Sequence, residues 1–464
     1  MVAWKLQYGL SVLSFILAVV LISQLLRQRR APGSTVAWLL LMVLLPHVGV
    51  PFFLIMGSRK LKRSRQLKRG LYQPIPFAEI SKRILPMERM LRASGVPPKV
   101  DGNQLEVLAT SQGAYEALVE LLLNAQHQIH ITTFILTLDP VGKSIVDILE
   151  KKALAGVQVR LLLDGLGSFW TFRWRLKPLL RAGGRLAFYQ PVIHVPFFGH
   201  INMRNHRKLV IVDGKDAMLG GMNLAREYLG TALPENKRWA DLSVKVTGNA
   251  VRDLEAVFVA DWHFASGEML SPAPITRGGK NSVNSSDETL QIVASGPDIH
   301  GDPLYDSIIS AIFDAKKRIW IATPYFIPDE TLSKSLELAA KRGVDVRLLI
   351  PRKSNHRLAD LCRGAYLGQL ERAGGKIYYS TDAMMHAKAV IVDDLYSVIG
   401  SANLDMRSLL LNYEVGLFLY SQSGIQAIGQ WFEGLLTRSI RIPLTPNFAS
   451  DLVEGLARLI GPFL

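Results

Sequence analysis

The chain has 464 residues, enough for two or three domains, and is 49% hydrophobic with a formal net charge of +15. That balance calls for an anionic partner, whether a membrane surface, nucleic acid or a phosphorylated substrate. The single cysteine, Cys362, excludes an intramolecular disulfide and a cysteine-based metal cluster.

The amino end reads as membrane sequence. Tyr8 to Leu26 is an apolar run without charge, long enough to cross a bilayer at roughly 20 residues per span. Arg27, Arg29 and Arg30 close it. A second run covers Val36 to Met56 and contains Pro46, His47 and Pro51. A dense basic stretch follows, with Arg59, Lys60, Lys62, Arg63, Arg65, Lys68 and Arg69. Trp4 and Trp38 stand where interfacial aromatics are expected. A cleaved signal peptide is disfavoured, because the run is long for a signal core and no small-residue cleavage site precedes the arginines. The expectation is a transmembrane helix pair. Seven basic residues after the second run against three in the loop place both ends, and the body of the chain, in the cytoplasm. Two prolines leave open a re-entrant or kinked second segment, and the basic stretch also suits anionic lipid heads at the surface.

From about Leu105 the chain becomes ordinary globular sequence, and it repeats. Tyr115 to Gln190 runs parallel to Tyr305 to Ser380. Asn124-Ala125-Gln126-His127-Gln128-Ile129-His130-Ile131 matches Asp314-Ala315-Lys316-Lys317-Arg318-Ile319-Trp320-Ile321, and Gly156 to Leu163 matches Gly343 to Ile350. Arg181-Ala182-Gly183-Gly184 matches Arg372-Ala373-Gly374-Gly375. Each unit alternates helices with apolar strands, which implies an α/β fold with a mainly parallel or mixed sheet and helices on both faces. Val141-Gly142-Lys143-Ser144 looks like the end of a phosphate-binding loop, but Thr137 stands where the first glycine is needed, so it reads as chance. Gly267 to Leu290, rich in Ser, Pro, Gly and Asn, reads as a loose linker. Asp451 to Leu464 has apolar residues at helical spacing and reads as a helix packed on the body.

Each unit ends in the same short pattern. Asn205-His206-Arg207-Lys208-Leu209-Val210-Ile211-Val212-Asp213 and Met385-His386-Ala387-Lys388-Ala389-Val390-Ile391-Val392-Asp393 both fit H-x-K-x-x-x-x-D. Each is trailed by a turn with an asparagine, Gly220-Gly221-Met222-Asn223 and Gly400-Ser401-Ala402-Asn403. In an extended strand the His and the Lys two places on point to the same side. The apolar run after each Lys reads as a buried strand ending at the Asp. A His and a Lys at the mouth of such a strand suit a phosphate: fixed positive charge beside a nitrogen that titrates near neutrality.

These paired motifs resemble the phospholipase D superfamily, and most closely the bacterial cardiolipin synthases of that type. Further stretches carry the resemblance: Leu163 to Ser168, Gly220 to Tyr228, Asp261-Trp262, Thr323 to Pro328 and Gly400 to Ser408. It implies a membrane hairpin with a basic juxtamembrane stretch over 1–70. Two phospholipase-D-like domains follow at 71–266 and 291–464, joined by the linker 267–290, each a mixed sheet flanked by helices. It implies an enzyme of a bacterial inner membrane that joins two phosphatidylglycerol molecules into cardiolipin and releases glycerol. The implied partners are phosphatidylglycerol, other anionic lipids and the membrane, with no nucleic acid and no cofactor or metal.

The implied catalytic set is His206, Lys208, Asp213, His386, Lys388 and Asp393, meeting at one site. One histidine attacks phosphorus and becomes a phosphohistidine; the other protonates the leaving alkoxide and deprotonates the incoming alcohol. The motifs are near-symmetric, so residue type does not say which attacks; family habit points to His206, with His386 as acid and base. Lys208 and Lys388 are expected on the phosphoryl oxygens, with Asn223 and Asn403 as added donors. Asp241 and Glu414 sit where the family places a further acidic residue, and are expected to orient the histidines. Asp213 and Asp393 lie five residues past the lysines, too far along a strand to touch phosphate, so hydrogen bonds that hold local structure suit them better. His127 and His263 read as structural.

Phe169 to Trp174, and Pro196-Phe197-Phe198 with His194 and His200, mix rings with cations. They read as loop packing or as an interfacial lip that admits lipid. Hydrolysis to phosphatidic acid, a transferase using phosphatidylethanolamine or another alcohol, a nuclease of the same superfamily and a non-catalytic scaffold are the rival readings. Two intact motifs argue against the scaffold, and two membrane segments favour lipid over nucleic acid.

Overall fold

The computed structural model describes residues 17, 19–23, 25–26, 32–56, 71–80, 86–171, 173–190, 203–270, 287–381 and 384–443. The described part of the first apolar run is helical, and the rest of that run lies outside the described residues. The second run is two helices, α1 (Pro32–Leu44) and α2 (Pro46–Met56). The break falls at Leu45, because the ring of Pro46 disfavours helical backbone in the residue before it. The pair folds back on itself, with the Trp38 ring 5.5 and 5.1 Å from those of Phe52 and Phe53. Leu21 and Leu25 join that cluster. Thirteen residues of helix span about 20 Å against the roughly 30 Å of a bilayer core. Among the described residues no helix is long and apolar enough to cross a membrane. Most of the first expected span lies outside the described residues, and the second is bent at Leu45. The carboxyl-terminal stretch expected as a helix, 451–464, lies outside the described residues.

After α3 (Pro86–Ala93) the body begins. Its first half holds β1 (Val100–Leu108), α4 (Ser111–Asn124), β2 (Gln128–Thr133), α5 (Pro140–Leu154), β3 (Gln158–Asp164), α6 (Lys177–Arg181), β4 (Arg185–Tyr189), β5 (Leu209–Val212), β6 (Asp216–Gly220), β7 (Ser243–Gly248) and α7 (Val251–Ser266). The second half holds β8 (Glu288–Ser295), α8 (Pro303–Asp314), β9 (Arg318–Ala322), β10 (Phe326–Ile327), α9 (Glu330–Lys341), β11 (Asp345–Pro351), α10 (Arg357–Arg372), β12 (Lys376–Ser380), β13 (Ala389–Val392), β14 (Tyr396–Gly400), β15 (Leu404–Asp405), α11 (Met406–Leu410), β16 (Glu414–Leu419), α12 (Gln422–Leu436) and β17 (Ser439–Ile440).

Among the described residues the two halves share one sheet of 15 strands. Outward from the middle the first half reads β1-β7-β6-β5-β2-β3-β4 and the second reads β8-β16-β14-β13-β9-β11-β12, with β17 added at that edge. The order is the same in both, so the repeated sequence is a repeated topology. β2, β3 and β4 run parallel, as do β9, β11 and β12, and the remaining main-sheet pairs are antiparallel. The halves meet where β1 pairs antiparallel with β8, which relates them by an approximate two-fold axis. The sheet curls enough for β6 and β14 to touch across that seam.

The apolar runs of the motif strands follow from burial on both faces. Val210 and Val212 enter the core beneath α4 and α5 with Leu161 and Leu163. Leu209 and Ile211 enter the opposite core with Leu162, beneath α7 and the second half. Successive side chains alternate between two interiors, so a run of four apolar residues leaves none in water.

The strand ends explain the motif aspartates. Asp213 and Asp393 take φ of 53° and 50°, left-handed values that Asp tolerates better than most residues, and so end β5 and β13. The Asp213 carboxylate accepts from the N–H groups of Gln126, His127 and Gln128 at 2.8, 2.7 and 2.8 Å. Asp393 accepts from Lys316, Lys317 and Arg318, each at 2.8 Å. Both aspartates are thus staples between the motif strand and the turn before β2 or β9, about 20 Å of extended chain beyond the histidine. These bonds are of the structure-holding kind expected of both aspartates, although the resemblance counts them with the catalytic set. Replacing Asp393 by Ala strands three N–H groups and should cost about 3 kcal/mol, measured as a fall in the guanidinium unfolding midpoint. The protein that stays folded should keep its activity, whereas a reacting aspartate would give normal stability and no turnover.

Candidate active site

The segments leading into β5 and β13 each run alongside the other half. The His206 N–H donates to the Tyr413 carbonyl at 2.9 Å, and the Tyr413 N–H donates to the Arg204 carbonyl at 2.9 Å. In mirror fashion the His386 N–H donates to Ala240 at 2.7 Å and the Ala240 N–H to Met384 at 2.8 Å. Each forms a one-residue parallel bridge, Asn205 with Tyr413 and Ala240 with Met385. The next residue on each bridging segment is acidic, Glu414 or Asp241, so the bridge sets a carboxylate of one half beside the histidine of the other.

The hydrogen bonds follow that plan. Glu414 Oε1 lies 3.0 Å from His206 Nδ1, and Asp241 Oδ2 lies 2.8 Å from His386 Nδ1. With Nδ1 donating to a carboxylate, Nε2 carries the free lone pair of each neutral ring. Lys208 Nζ donates to the His206 carbonyl at 2.7 Å, and Lys388 Nζ donates to the His386 carbonyl while lying 2.7 Å from its Nδ1 and 3.2 Å from its Nε2. The two lysines, two histidines and two acids form one cluster. His386, Lys208 and Lys388 are 4%, 4% and 3% exposed, and His206 is the more open histidine.

The two ends of the cluster differ. Gly221 makes room for Asp241, since a Cβ there would lie 2.1 Å from Oδ1. The matching Ser401 instead donates to Glu414 Oε2 at 2.5 Å. An aromatic ring from Phe134 meets His206 edge-on at 4.8 Å, while Tyr228 and Trp239 pack on His386 at 5.1 and 5.3 Å. Behind His206 is a buried ion pair, Arg207 Nη1 to Asp261 Oδ2 at 2.6 Å. The same guanidinium donates to the carbonyls of Glu414 and Ser295 at 3.0 and 2.9 Å, so it fastens the backbone that carries the carboxylate. The second half has Ala387 at that position. Sequence reasoning missed Arg207 and Ser401. Arg207 lies between His and Lys, and period-two alternation turns it away from them.

The two asparagines are engaged with the protein. Asn223 Oδ1 accepts from the Ile135 N–H at 3.1 Å, and Asn403 Nδ2 donates to Ser408 Oγ at 3.1 Å. His127 joins the Asp213 staple through its backbone, and His263 Nδ1 lies 3.3 Å from the Glu268 carbonyl. Gly267–Leu270, read as loose linker, is pinned: Glu268 pairs with Arg160 at 3.0 Å, with Arg185, and with Trp262 Nε1 at 2.8 Å. Likewise β8 starts within that stretch, at Glu288. The segment with His194, Phe197, Phe198 and His200 lies outside the described residues.

Burial makes charge costly here and sets the titration. It brings Lys208 down to about 7 and Lys388 to about 8, against the pull of Glu414 on the first and Asp241 on the second. It lifts Asp241 to about 7, against Lys388. His206 is lowered by burial and by Lys208 despite Glu414. His386 is held well below the ordinary range by burial, Lys388 and Lys208. The site without a ligand therefore sheds positive charge, and an anion between the lysines would restore it.

Comparison with known proteins matches this architecture. The family model "Cardiolipin synthase, PLD-like domain" matches twice, over residues 118–262 and 308–436. A second model, "Phospholipase_D-nuclease N-terminal", matches residues 12–57. Among curated relatives, cardiolipin synthase 1 of Bacillus anthracis is 35% identical over 94% of this chain and 90% of its own length. The cardiolipin synthase of Alkalihalophilus pseudofirmus is 35% identical with the same coverage. Among solved structures, a phosphatidylserine synthase of Haemophilus influenzae superposes with a TM-score of 0.62 at 17% identity, over 82% of this chain and 100% of that one, a likeness of fold.

The two lysines are both charged below pH 7 and both lose their protons above pH 8. Affinity for dimethyl phosphate, a phosphodiester that stays monoanionic throughout, measured by calorimetric titration, should therefore fall as pH rises through this window, by about tenfold for each lost charge worth 1.4 kcal/mol. Lys208→Arg should carry binding to higher pH, because guanidinium keeps its proton.

Proposed function

The chain belongs to the cardiolipin synthase family with phospholipase-D-like domains, a phosphatidyltransferase family acting on phospholipid, and from this premise we propose how its residues carry the transfer. The observation that carries the reading is the crossed pairing of His206 with Glu414 and His386 with Asp241, with both lysines beside them. The first substrate is phosphatidylglycerol, its phosphodiester anion held by Lys208 and Lys388. His206 Nε2 attacks phosphorus, and His386 gives its proton to the departing glycerol oxygen. This leaves a phosphatidyl-histidine and neutral His386. The free hydroxyl of a second phosphatidylglycerol then gives its proton to His386 and attacks phosphorus, which releases His206 and forms cardiolipin. One phosphodiester replaces another, so no nucleotide is needed.

Electrostatics supply the order of events. A histidine held well below its ordinary range is a poor proton store until the anion arrives. The bound phosphodiester offsets the lysine charge and lifts His386 into the range of a general acid. Glu414 holds the attacking ring in the tautomer with a bare Nε2 and stabilises the positive charge that forms on it. Asn223 and Asn403 remain candidates for donors near the phosphoryl oxygens. The same reading places the chain in a bacterial cell membrane as a multi-pass protein with its halves, 71–266 and 291–464, on the cytoplasmic side. The match of residues 12–57 to a phospholipase D amino-terminal model supports it.

Purified full-length protein in mixed micelles with isotope-labelled phosphatidylglycerol should yield cardiolipin and glycerol in equal amounts. His206→Ala and His386→Ala should each lose about 10³-fold in rate, and Glu414→Gln about 10²-fold, within the span of acid–base effects. Two displacements also require retained configuration at phosphorus. Phosphatidic acid as the main product would move the protein to the hydrolases.

A further inference from the structure

The described surface carries an unusual rim beside the site. The loop after β3 exposes Leu166, Phe169, Trp170 and Trp174, with Trp170 75% and Trp174 63% exposed. Arg173, Arg175 and Lys177 are exposed among them. Large rings in water normally mark a contact surface, and rings interleaved with cations match the chemistry of a lipid headgroup layer. The loop is not slack. Ser168, 2% exposed, donates to the Phe134 carbonyl at 2.9 Å and accepts from the Leu136 N–H at 3.0 Å. The Thr171 hydroxyl donates to the Leu136 carbonyl. Gly167 passes so close that a Cβ would stand 2.3 Å from the Phe134 carbonyl oxygen. Phe134 is the ring that packs on His206, so the exposed rings are tied to the reacting histidine through one short segment.

The matching loop of the second half, after β11, has a different character. It exposes Arg352, Lys353, His356, Arg357 and Leu358. Its link to the site is Tyr325, whose hydroxyl donates to Asn355, and whose ring lies 5.3 Å from His356 and 6.4 Å from His386. Through Phe134 and Tyr325 both loops reach the histidine cluster, so both edge the same mouth.

We propose that these two loops form a docking rim that seats the mouth of the site on an anionic bilayer. Trp170 and Trp174 enter the boundary between headgroups and acyl chains, and Arg352, Lys353 and Arg357 hold lipid phosphates. The inference rests on the lipid-transfer reading for its choice of occupant. It is carried by the exposed rings, the interleaved cations and the direct packing of each loop on a histidine-contacting ring. Lipid then passes from the membrane to the phosphate site without crossing water.

The test uses the full-length chain in vesicles of phosphatidylglycerol in phosphatidylcholine. Cys362 is the sole cysteine and is buried, so Cys362→Ser gives a thiol-free background. Trp170→Cys, Trp174→Cys and, at the far end of α5, the exposed Leu154→Cys are each labelled with a nitrobenzoxadiazole dye. At 170 and 174 aqueous iodide should quench several-fold less than at 154, and a shallow lipid-borne nitroxide should quench several-fold more. Loss of that lipid quenching in pure phosphatidylcholine, or with Lys353→Glu and Arg357→Glu together, supports the cationic half. Labels at 170 and 174 as open to iodide as the label at 154 overturn the proposal. Shielding from iodide without lipid quenching overturns it too, since the rings would then lie against protein. The readout is independent of turnover. Inserted loops without cardiolipin synthesis would sink the synthase reading alone, and synthesis with loops in water would sink the docking alone.

Discussion

Each histidine takes its carboxylate from the other half, and the rest of the molecule depends on that exchange. Glu414 serves His206 and Asp241 serves His386 through backbone bridges that place acid and base in neighbouring registers. A slip of one residue in either bridge would turn the carboxylate to the opposite side of its chain. The β1–β8 seam and the curl of the sheet hold the register from a distance, and the Arg207–Asp261 pair holds it close at hand. A buried ion pair adds little net stability against an apolar substitute, but it permits few alternative arrangements. Here it fastens the strand that carries Glu414.

The cluster concentrates charge where water is scarce. Two lysines and two histidines cannot all be protonated in so small and dry a space. The proposed transfer asks opposite things of two similar rings. Glu414, fastened by Ser401 and Arg207, and Asp241, packed against Gly221, give those rings different surroundings. Near-identical motifs thereby become unequal partners.

Much of the site was legible from spacing. His and Lys two apart, repeated before matching apolar runs, located both motif strands, and the parallel stretches of sequence foretold a repeated topology. The acidic partners were found by resemblance, but their crossed assignment was not, because it arises from contacts 208 and 145 residues apart in the chain. The seam was invisible for a similar reason: Asp101, Asn103, Gln104 and Glu106 give β1 the look of a loop. Arg207 was hidden in a variable slot of its motif. The aspartates were legible too, since five residues past the lysines is too far along a strand to touch phosphate, and their carboxylates serve the backbone. The second apolar run was long enough for a span by composition, and Pro46 divided it.

The single covalent chain has a consequence for how such a site can change. If two identical halves met about the same axis, every substitution would appear twice, and no residue could improve one histidine without altering its twin. Joining the halves through 267–290 removes that symmetry of inheritance. Arg207 can stand where the other half has Ala387, and a tryptophan-bearing loop where the other half has a cationic one, because a change in one copy leaves its counterpart unaltered. Duplication supplied the scaffold, and fusion supplied the licence to specialise.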